Sequence, residues 1–353
     1  MMKKILSIML VIILCLGWTH TSVRADEISC SEIESIINQF AKGEKDKCTI
    51  KNSYRMKSFV DEKETYTLYV LNPYGYAILY DETNSLMEAC YGNVEWVAEL
   101  TNEDIYYYGG PGRYYVEKQG TYISLLSEVA LDDKSIGIIQ QDEMVVHRAE
   151  KVNALSENIV SKTNARLSSY YEVNPTYFQN LTEYGTNTNG TCTVLATCIL
   201  LGYYDRYVND AFVWNHHRDG KGTNEALHQY LNGKVYGSST QGGIYIRDAL
   251  SGINGYFAEK GGIADAYSVY SSQQAAVSMM VNKLQEGYPV IASMGTVYGA
   301  TWNHTAVIYG IYNTLAGSWT SYTLRMHMGW HSGTAYNDFY ASANWFYECG
   351  YFE

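Results

Sequence analysis

The sequence predicts an α+β chain of two blocks behind an N-terminal targeting segment. Residues 26–150 read as one short helix followed by strands, with alternating side chains and breaker-rich turns. Residues 151–170 turn polar and lose any core periodicity. Residues 171–353 have few charges and many aromatics, open on an apolar helix and close in β-prone sequence. The chain length suits two domains, and the 46% hydrophobic content is that of a globular protein.

At the N-terminus, Lys3 and Lys4 precede an almost wholly apolar run from Ile5 to Trp18. Thr19 to Ala25 gives a polar exit, with Val23 and Ala25 at the small-residue positions before a cut. This is the pattern of a signal peptide over residues 1–25, cleaved after Ala25, and the apolar run is short for a membrane span. Cys15 lies inside that run, a setting that does not suit lipidation. No later stretch approaches spanning length, so the mature protein is expected to be soluble, secreted and without a membrane anchor.

The formal charge is -12, and removing the three basic residues of 1–25 leaves the mature chain at -15. An acidic surface of that size argues against nucleic acid and anionic membranes as partners. Tyrosine is abundant, 35 against 8 Phe, which suits half-buried strands whose hydroxyls stay wet.

In the first block, Ser31 to Lys42 reads as a helix flanked by Cys30 and Cys48, which export would permit to pair as its clasp. Thr65 to Val70 alternates with a period of two, Asn72-Pro73-Tyr74-Gly75 is a turn, and Tyr76 to Tyr80 returns as the second strand of a hairpin. Tyr106–Tyr108 and Tyr114–Val116 are β-prone runs joined by Gly109-Gly110-Pro111-Gly112, which lacks the Lys and the following helix of an anion cradle and reads as a turn. Residues 151–170 are expected to be an exposed linker between 26–150 and 171–353, open to proteolysis between about Val152 and Ser169.

The second block carries the chemistry. Asn189-Gly190-Thr191 leads into Cys192 and then a small, apolar, uncharged run through Leu201. That combination delivers a thiol to the first turn of a buried helix, where the dipole and the unpaired N–H groups lower its pKa. Taken alone, Cys192 is equally a core cysteine or half of a disulfide. Ala275 to Glu286 reads as a helix, Val290 to Met294 as a buried strand, and His304 opens the β-prone run ending at Gly310. A further strand ends at His327-Met328-Gly329-Trp330, a turn carrying a large indole. A thiolate nucleophile needs a base and the base needs orienting; His304 is the candidate base, His327 the candidate orienter, and Trp330 a shield for their hydrogen bond. The cysteine spacings match no zinc signature and no HExxH occurs, so neither metal nor cofactor is expected, His216 and His217 being at most incidental ligands.

The order of these features resembles the papain-like cysteine peptidases, most closely the streptopain-like secreted bacterial enzymes and the related bacteriocin-processing peptidases. The resemblance covers roughly the last half of the chain and rests on Thr191–Tyr204, Asn303–Gly310 and the Gly329-Trp330 turn. It implies a papain-like catalytic domain, its central cysteine-bearing helix packed on an antiparallel half-barrel, preceded by a smaller α+β pro-domain that inhibits it intramolecularly. It makes Cys192 the nucleophile and His304 the general base and acid. His327 stands where streptopain carries an Asn. The oxyanion hole of these families uses the cysteine's own N–H and a Gln side chain five or six residues upstream. Here Asn187 offers the same amide on a shorter stem, with Asn189 in reserve.

The expected function is therefore a secreted cysteine endopeptidase made as a zymogen and acting on protein or peptide substrates. Two other functions stay open: a cell-wall amidase or transpeptidase using the same Cys-His pair, and a non-catalytic secreted binding protein on a decayed peptidase scaffold. The amidases usually set their cysteine in an Asp-Cys-Ser-Gly-like context, which is absent here; the missing Gln keeps the binding protein in play.

Overall fold

A computed structural model describes residues 29–40, 47–159, 166–186, 190–220, 222–237, 243–295, 304–316, 319–330 and 335–353. The expected signal peptide over residues 1–25, with Cys15, lies outside them. Helix α1 (Cys30–Ile37) starts at a capping box in which the Ser29 hydroxyl accepts the Glu32 N–H and Glu32 reaches back to the Ser29 N–H. It buries Ile33 and Ile37, and Asn38–Phe40 continue it as a 3-10 turn.

The Cys30–Cys48 pairing that export would permit is not formed: Cys30 is exposed and Cys48 buried, with no disulfide between them. The clasp is an amide instead. Asn38 donates from Nδ2 to the Cys48 carbonyl (2.8 Å) and accepts the Cys48 N–H at Oδ1 (2.7 Å).

Strands β1 (Thr49–Lys57), β2 (Thr65–Asn72), β3 (Tyr76–Tyr80) and β4 (Ser85–Cys90) form an antiparallel meander, the β2–β3 hairpin falling where the alternation placed it. β5 (Ile105–Tyr108) joins β1 in parallel, then pairs β6 (Tyr114–Lys118), which pairs β7 (Thr121–Ser124). Tyr66, Tyr76, Tyr80, Tyr108 and Tyr114 are fully buried rather than half-wet. Their hydroxyls are satisfied by buried or nearby carboxylates: Tyr108 and Tyr114 donate to Glu88, Tyr66 to Glu143 and Tyr80 to Glu82.

Helix α2 (Asp133–Ile159) occupies half of the expected linker. Its described inner face holds Ile139 and Val146, but also Asp142, Glu143 and His147, all buried. β8 (Arg166–Glu172) takes up the last five residues of that linker and pairs with β13. Of the expected cleavage window, Val152–Ile159 are helical, 166–169 are strand, and 160–165 lie outside the described residues.

The second block begins with α3 (Pro175–Gln179) and α4 (Cys192–Tyr207). Every residue of α4 from Cys192 to Tyr204 is buried, as expected of a helix apolar on all sides. A two-strand ribbon, β9 (Arg218–Asp219) and β10 (Gly222–Thr223), leads to α5 (Glu225–Tyr236), α6 (Ile246–Glu259), β11 (Ala266–Val269) and α7 (Gln273–Gln285). β12 (Val290–Met294), β13 (His304–Ala316), β14 (Trp319–His327), β15 (Phe339–Ser342) and β16 (Phe346–Phe352) complete the chain. α4 packs on β13 and β12.

The molecule is α+β with one large mixed sheet, ordered β11-β16-β12-β13-β14-β15-β4-β3-β2-β1-β5-β6-β7, and β8 added to β13. The two blocks meet inside this sheet, where β15 pairs antiparallel with β4 in the register Phe339 opposite Cys90. One apolar core runs across the junction, from Met56 and Tyr66 in the first block to Phe352 at the end of the second. Among the described residues no helix is long and apolar enough to cross a membrane.

Candidate active site

Cys192 is the first residue of α4, preceded by Gly190 at φ +77°, a left-handed conformation that suits glycine. Its own N–H is among the first-turn donors that an α-helix leaves without intrahelical partners. The side chain is 5% exposed, and Sγ lies 4.0 Å from the Gly190 carbonyl oxygen. Burial raises the thiol pKa; hydrogen bonds from Thr305 and Thr193 to the sulfur pull it the other way.

His304 opens β13 opposite Met294 of β12. The residues that follow each candidate, Thr193 and Thr305, are hydrogen-bonded through their hydroxyls at 2.9 Å, so the start of α4 and the start of β13 are held together. Nε2 of His304 donates to the Met328 carbonyl at 2.7 Å. A carbonyl only accepts, so the neutral ring carries its proton on Nε2 and keeps the Nδ1 lone pair for base chemistry. Burial pushes the imidazole pKa down to about 4, opposed by the bond to the Met328 carbonyl.

The orienting contact expected of the His327 ring is thus made by the main chain of the next residue. His327 is fully buried at the end of β14, with the Tyr184 ring edge-on at 5.0 Å, and its Nδ1 accepts the Gly329 N–H at 3.1 Å. The Met328 N–H bonds the Tyr336 carbonyl (2.9 Å), and the Tyr184 hydroxyl bonds the Trp330 carbonyl (3.2 Å). The imidazole therefore shapes the turn that aims the Met328 carbonyl at His304. Trp330 sits where a shield is needed, its ring 5.1 Å from that of His304.

Asn187 and Asn189, the candidate oxyanion donors, lie outside the described residues. Thr186, just before them, is held by its N–H on Glu225 Oε2 at 2.8 Å. Sequence reasoning missed Met328, Tyr184, Thr305 and Ser293. A main-chain carbonyl has no side-chain signature, and lone hydroxyl residues in a strand have none either. Among the described residues no group of three or more His, Cys, Asp or Glu could hold a metal ion.

The first block reaches this site through the β5–β6 loop. Gly112, at φ +76°, lies against Trp330, and a Cβ there would overlap the indole. Arg113 places its guanidinium 5.8 Å from the Trp345 ring centre while pairing with the buried Asp142 of α2 at 2.9 Å. Trp96 donates from Nε1 to the Tyr336 hydroxyl at 3.2 Å, and the Tyr336 ring is 4.8 Å from that of Trp330. Beside these contacts the blocks enclose a cleft of about 800 Å³ lined by Glu95, Trp96, Leu125, Thr186, Trp330 and Tyr336, among others.

The arrangement offers a thiol at a helix start, a neutral imidazole with a defined tautomer, and an aromatic wall under cover from the other block. No family model matches the chain, and no curated protein matches it either.

Proposed function

We propose that this chain is a secreted cysteine endopeptidase made as a zymogen, its second block a papain-like catalytic domain with α4 on an antiparallel half-barrel. The observation that carries this reading is the placement of Cys192 at the first turn of a buried helix beside a strand whose first residue, His304, is held by Nε2 on a main-chain carbonyl. Nothing in a purely structural cysteine calls for that second half.

In the reaction, His304 Nδ1 takes the Cys192 proton and the thiolate attacks a peptide carbonyl. The developing oxyanion is met by the Cys192 N–H and by the Asn187 amide, with Asn189, two residues further on, in reserve. The imidazolium then protonates the leaving amine, and water activated by the same ring hydrolyses the thioester. Trp330 keeps water off the His304–Met328 hydrogen bond. In the zymogen, the first block acts as an intramolecular inhibitor by laying the Gly112 loop on Trp330.

The test exposes the protein, before and after limited proteolysis, to a thiol-directed epoxide and locates the adduct by mass. Labelling at Cys192 that strengthens after proteolysis and vanishes in His304→Ala is expected. No label on either form would sink the catalytic reading and favour the binding protein. A labelled enzyme that releases peptides from peptidoglycan and leaves casein intact would make it the cell-wall amidase.

A further inference from the structure

The cleft between the two blocks, beside Trp330, has no part in the reaction as described. Its volume of about 800 Å³ lies in the range that takes a drug-sized ligand or a short peptide. Its floor is aromatic and crosses the block boundary. Trp96 of the first block is stacked on Tyr114 at 4.4 Å and donates from Nε1 to the Tyr336 hydroxyl of the second at 3.2 Å. Tyr336 meets Trp330 edge-on at 4.8 Å. Trp96 and Tyr336 are buried and Trp330 half-buried, so this floor is held in place from behind. Leu125 and Leu126, just after β7, close one side, and Leu126 is 38% exposed.

The rim is acidic. Glu95 and Glu99 stand at the two ends of the 3-10 turn that carries Trp96, and Glu128 lies in the turn after β7. All three are exposed. Among the described residues their carboxylates have no ion pair or hydrogen bond, and no Lys, Arg or His lines the cleft. The buried and half-buried acids nearby are matched by arginines, Asp142 by Arg113 and Glu172 by Arg325. Three unmatched like charges around one apolar floor repel each other, and a cation entering between them is attracted by each.

We propose that this cleft is a docking site for a basic peptide segment in which Lys or Arg alternates with apolar residues. The stem of a Lys or Arg lies along the indoles, with its charge over the ring faces and toward the rim. The apolar residues pack on Leu125 and Leu126, and the same rim repels an acidic segment. The carboxylates belong to the first block and Trp330 and Tyr336 to the second, so the segment needs both walls at once. A ligand that binds the joined blocks and not the separated ones holds them together. On the zymogen reading, on which this consequence rests, a bound basic segment keeps the first block over Trp330 and delays activation.

The test uses the full chain carrying Cys192→Ala, which binds peptide without cleaving it. Calorimetric titration with acetyl-Leu-Lys-Leu-Lys-amide is expected to show binding that weakens as NaCl is raised. The counterpart acetyl-Leu-Glu-Leu-Glu-amide is expected not to bind. Glu95→Gln, Glu99→Gln and Glu128→Gln together should weaken the Lys peptide roughly tenfold and flatten its salt dependence. The single variants, at about twofold each, serve if the triple variant does not fold. Absent binding, equal binding of the two peptides, or Gln variants that bind like the parent overturns the proposal; absent binding in a chain that elutes as a dimer gives the cleft to a second copy. The holding role is read in the nicked chain, as the urea concentration at which its fragments cease to co-elute. The Lys peptide should raise that concentration, and an unchanged value overturns the role. Neither readout needs catalysis, so failure of the epoxide to label Cys192 overturns the peptidase reading and leaves the docking site standing.

Discussion

At His304 the fold works against ionisation of the resting pair. The ring is half-buried beside Trp330, desolvation pushes its pKa down to about 4, and burial raises the neighbouring thiol. At neutral pH the covered site therefore holds thiol and neutral imidazole rather than an ion pair. This has a stability consequence with a definite sign. An unfolded histidine takes up a proton below its ordinary 6.5, whereas the folded one refuses it until about 4. Stability that is present above 6.5 is lost as pH falls through that window. Replacing His304 by Gln removes the titration, so the wild type should lose up to about 3 kcal/mol relative to His304→Gln between neutral pH and pH 4. Urea unfolding of both proteins at several pH values measures this, and parallel pH dependences would contradict it. Uncovering the site should relax both shifts, drawing the two pKa values together and making proton transfer from Cys192 to His304 easier.

Among the elements, α2 carries the clearest lesson about legibility. Its inner face joins Ile139 and Val146 to three buried polar residues, Asp142, Glu143 and His147. Asp142 pairs with Arg113, Glu143 accepts the Tyr66 hydroxyl and the Phe59 N–H, and His147 pairs with Glu64. Removing Asp142 would strand a guanidinium that is 6% exposed. Asp142→Ala should therefore cost about 3–5 kcal/mol in the first block, seen as a lower melting temperature and faster proteolysis of α2. Because Arg113 follows Gly112, the same variant should label faster at Cys192. The hidden polar face is also why no helix was read over residues 133–147: hydrophobic periodicity detects helices buried through apolar residues, and this one is buried through ion pairs. Where burial is apolar the reading succeeded. The uninterrupted run after Cys192 is α4, the Val290–Met294 run is β12 to the residue, and Ala275–Glu286 differs from α7 (Gln273–Gln285) only at its ends. In the site, Cys192 and His304 were legible because each opens such an apolar element. The orienter was not, since the Met328 carbonyl belongs to the backbone and is aimed by a turn that His327 and Tyr184 hold.

For the molecule as a whole, the junction between blocks decides what cleavage can do. β4 and β15 pair as neighbours in one sheet, and Tyr76, Tyr114, Trp96, Trp330 and Tyr336 belong to a single core that crosses the boundary. Cutting the chain between Val152 and Ser169 removes none of those contacts. β8, on the far side of the cut, stays anchored by its pairing with β13 and by Glu172 on Arg325, which also binds Asp338. The nicked protein should therefore stay as one particle at neutral pH, its Cys192 labelling strengthened by the cut and completed only when the first block dissociates. Glu88 gives a handle on that step. It lies in β4, fully buried, and burial raises its pKa to about 8 despite hydrogen bonds from Tyr114, Tyr76 and Tyr108. A carboxyl whose folded pKa lies above its unfolded value of 4.5 contributes most below that value, and the contribution is lost as pH rises through about 8. Raising the pH past that point should release the first block from the nicked protein. Glu88→Gln, which keeps a neutral hydrogen-bonding group in place, should hold the fragments together over the same range. Size-exclusion chromatography of the nicked wild type and variant, with Cys192 labelling of each fraction, measures both. Fragments that separate at neutral pH on cleavage alone, or a variant that releases like the wild type, would show that the shared sheet does not govern activation.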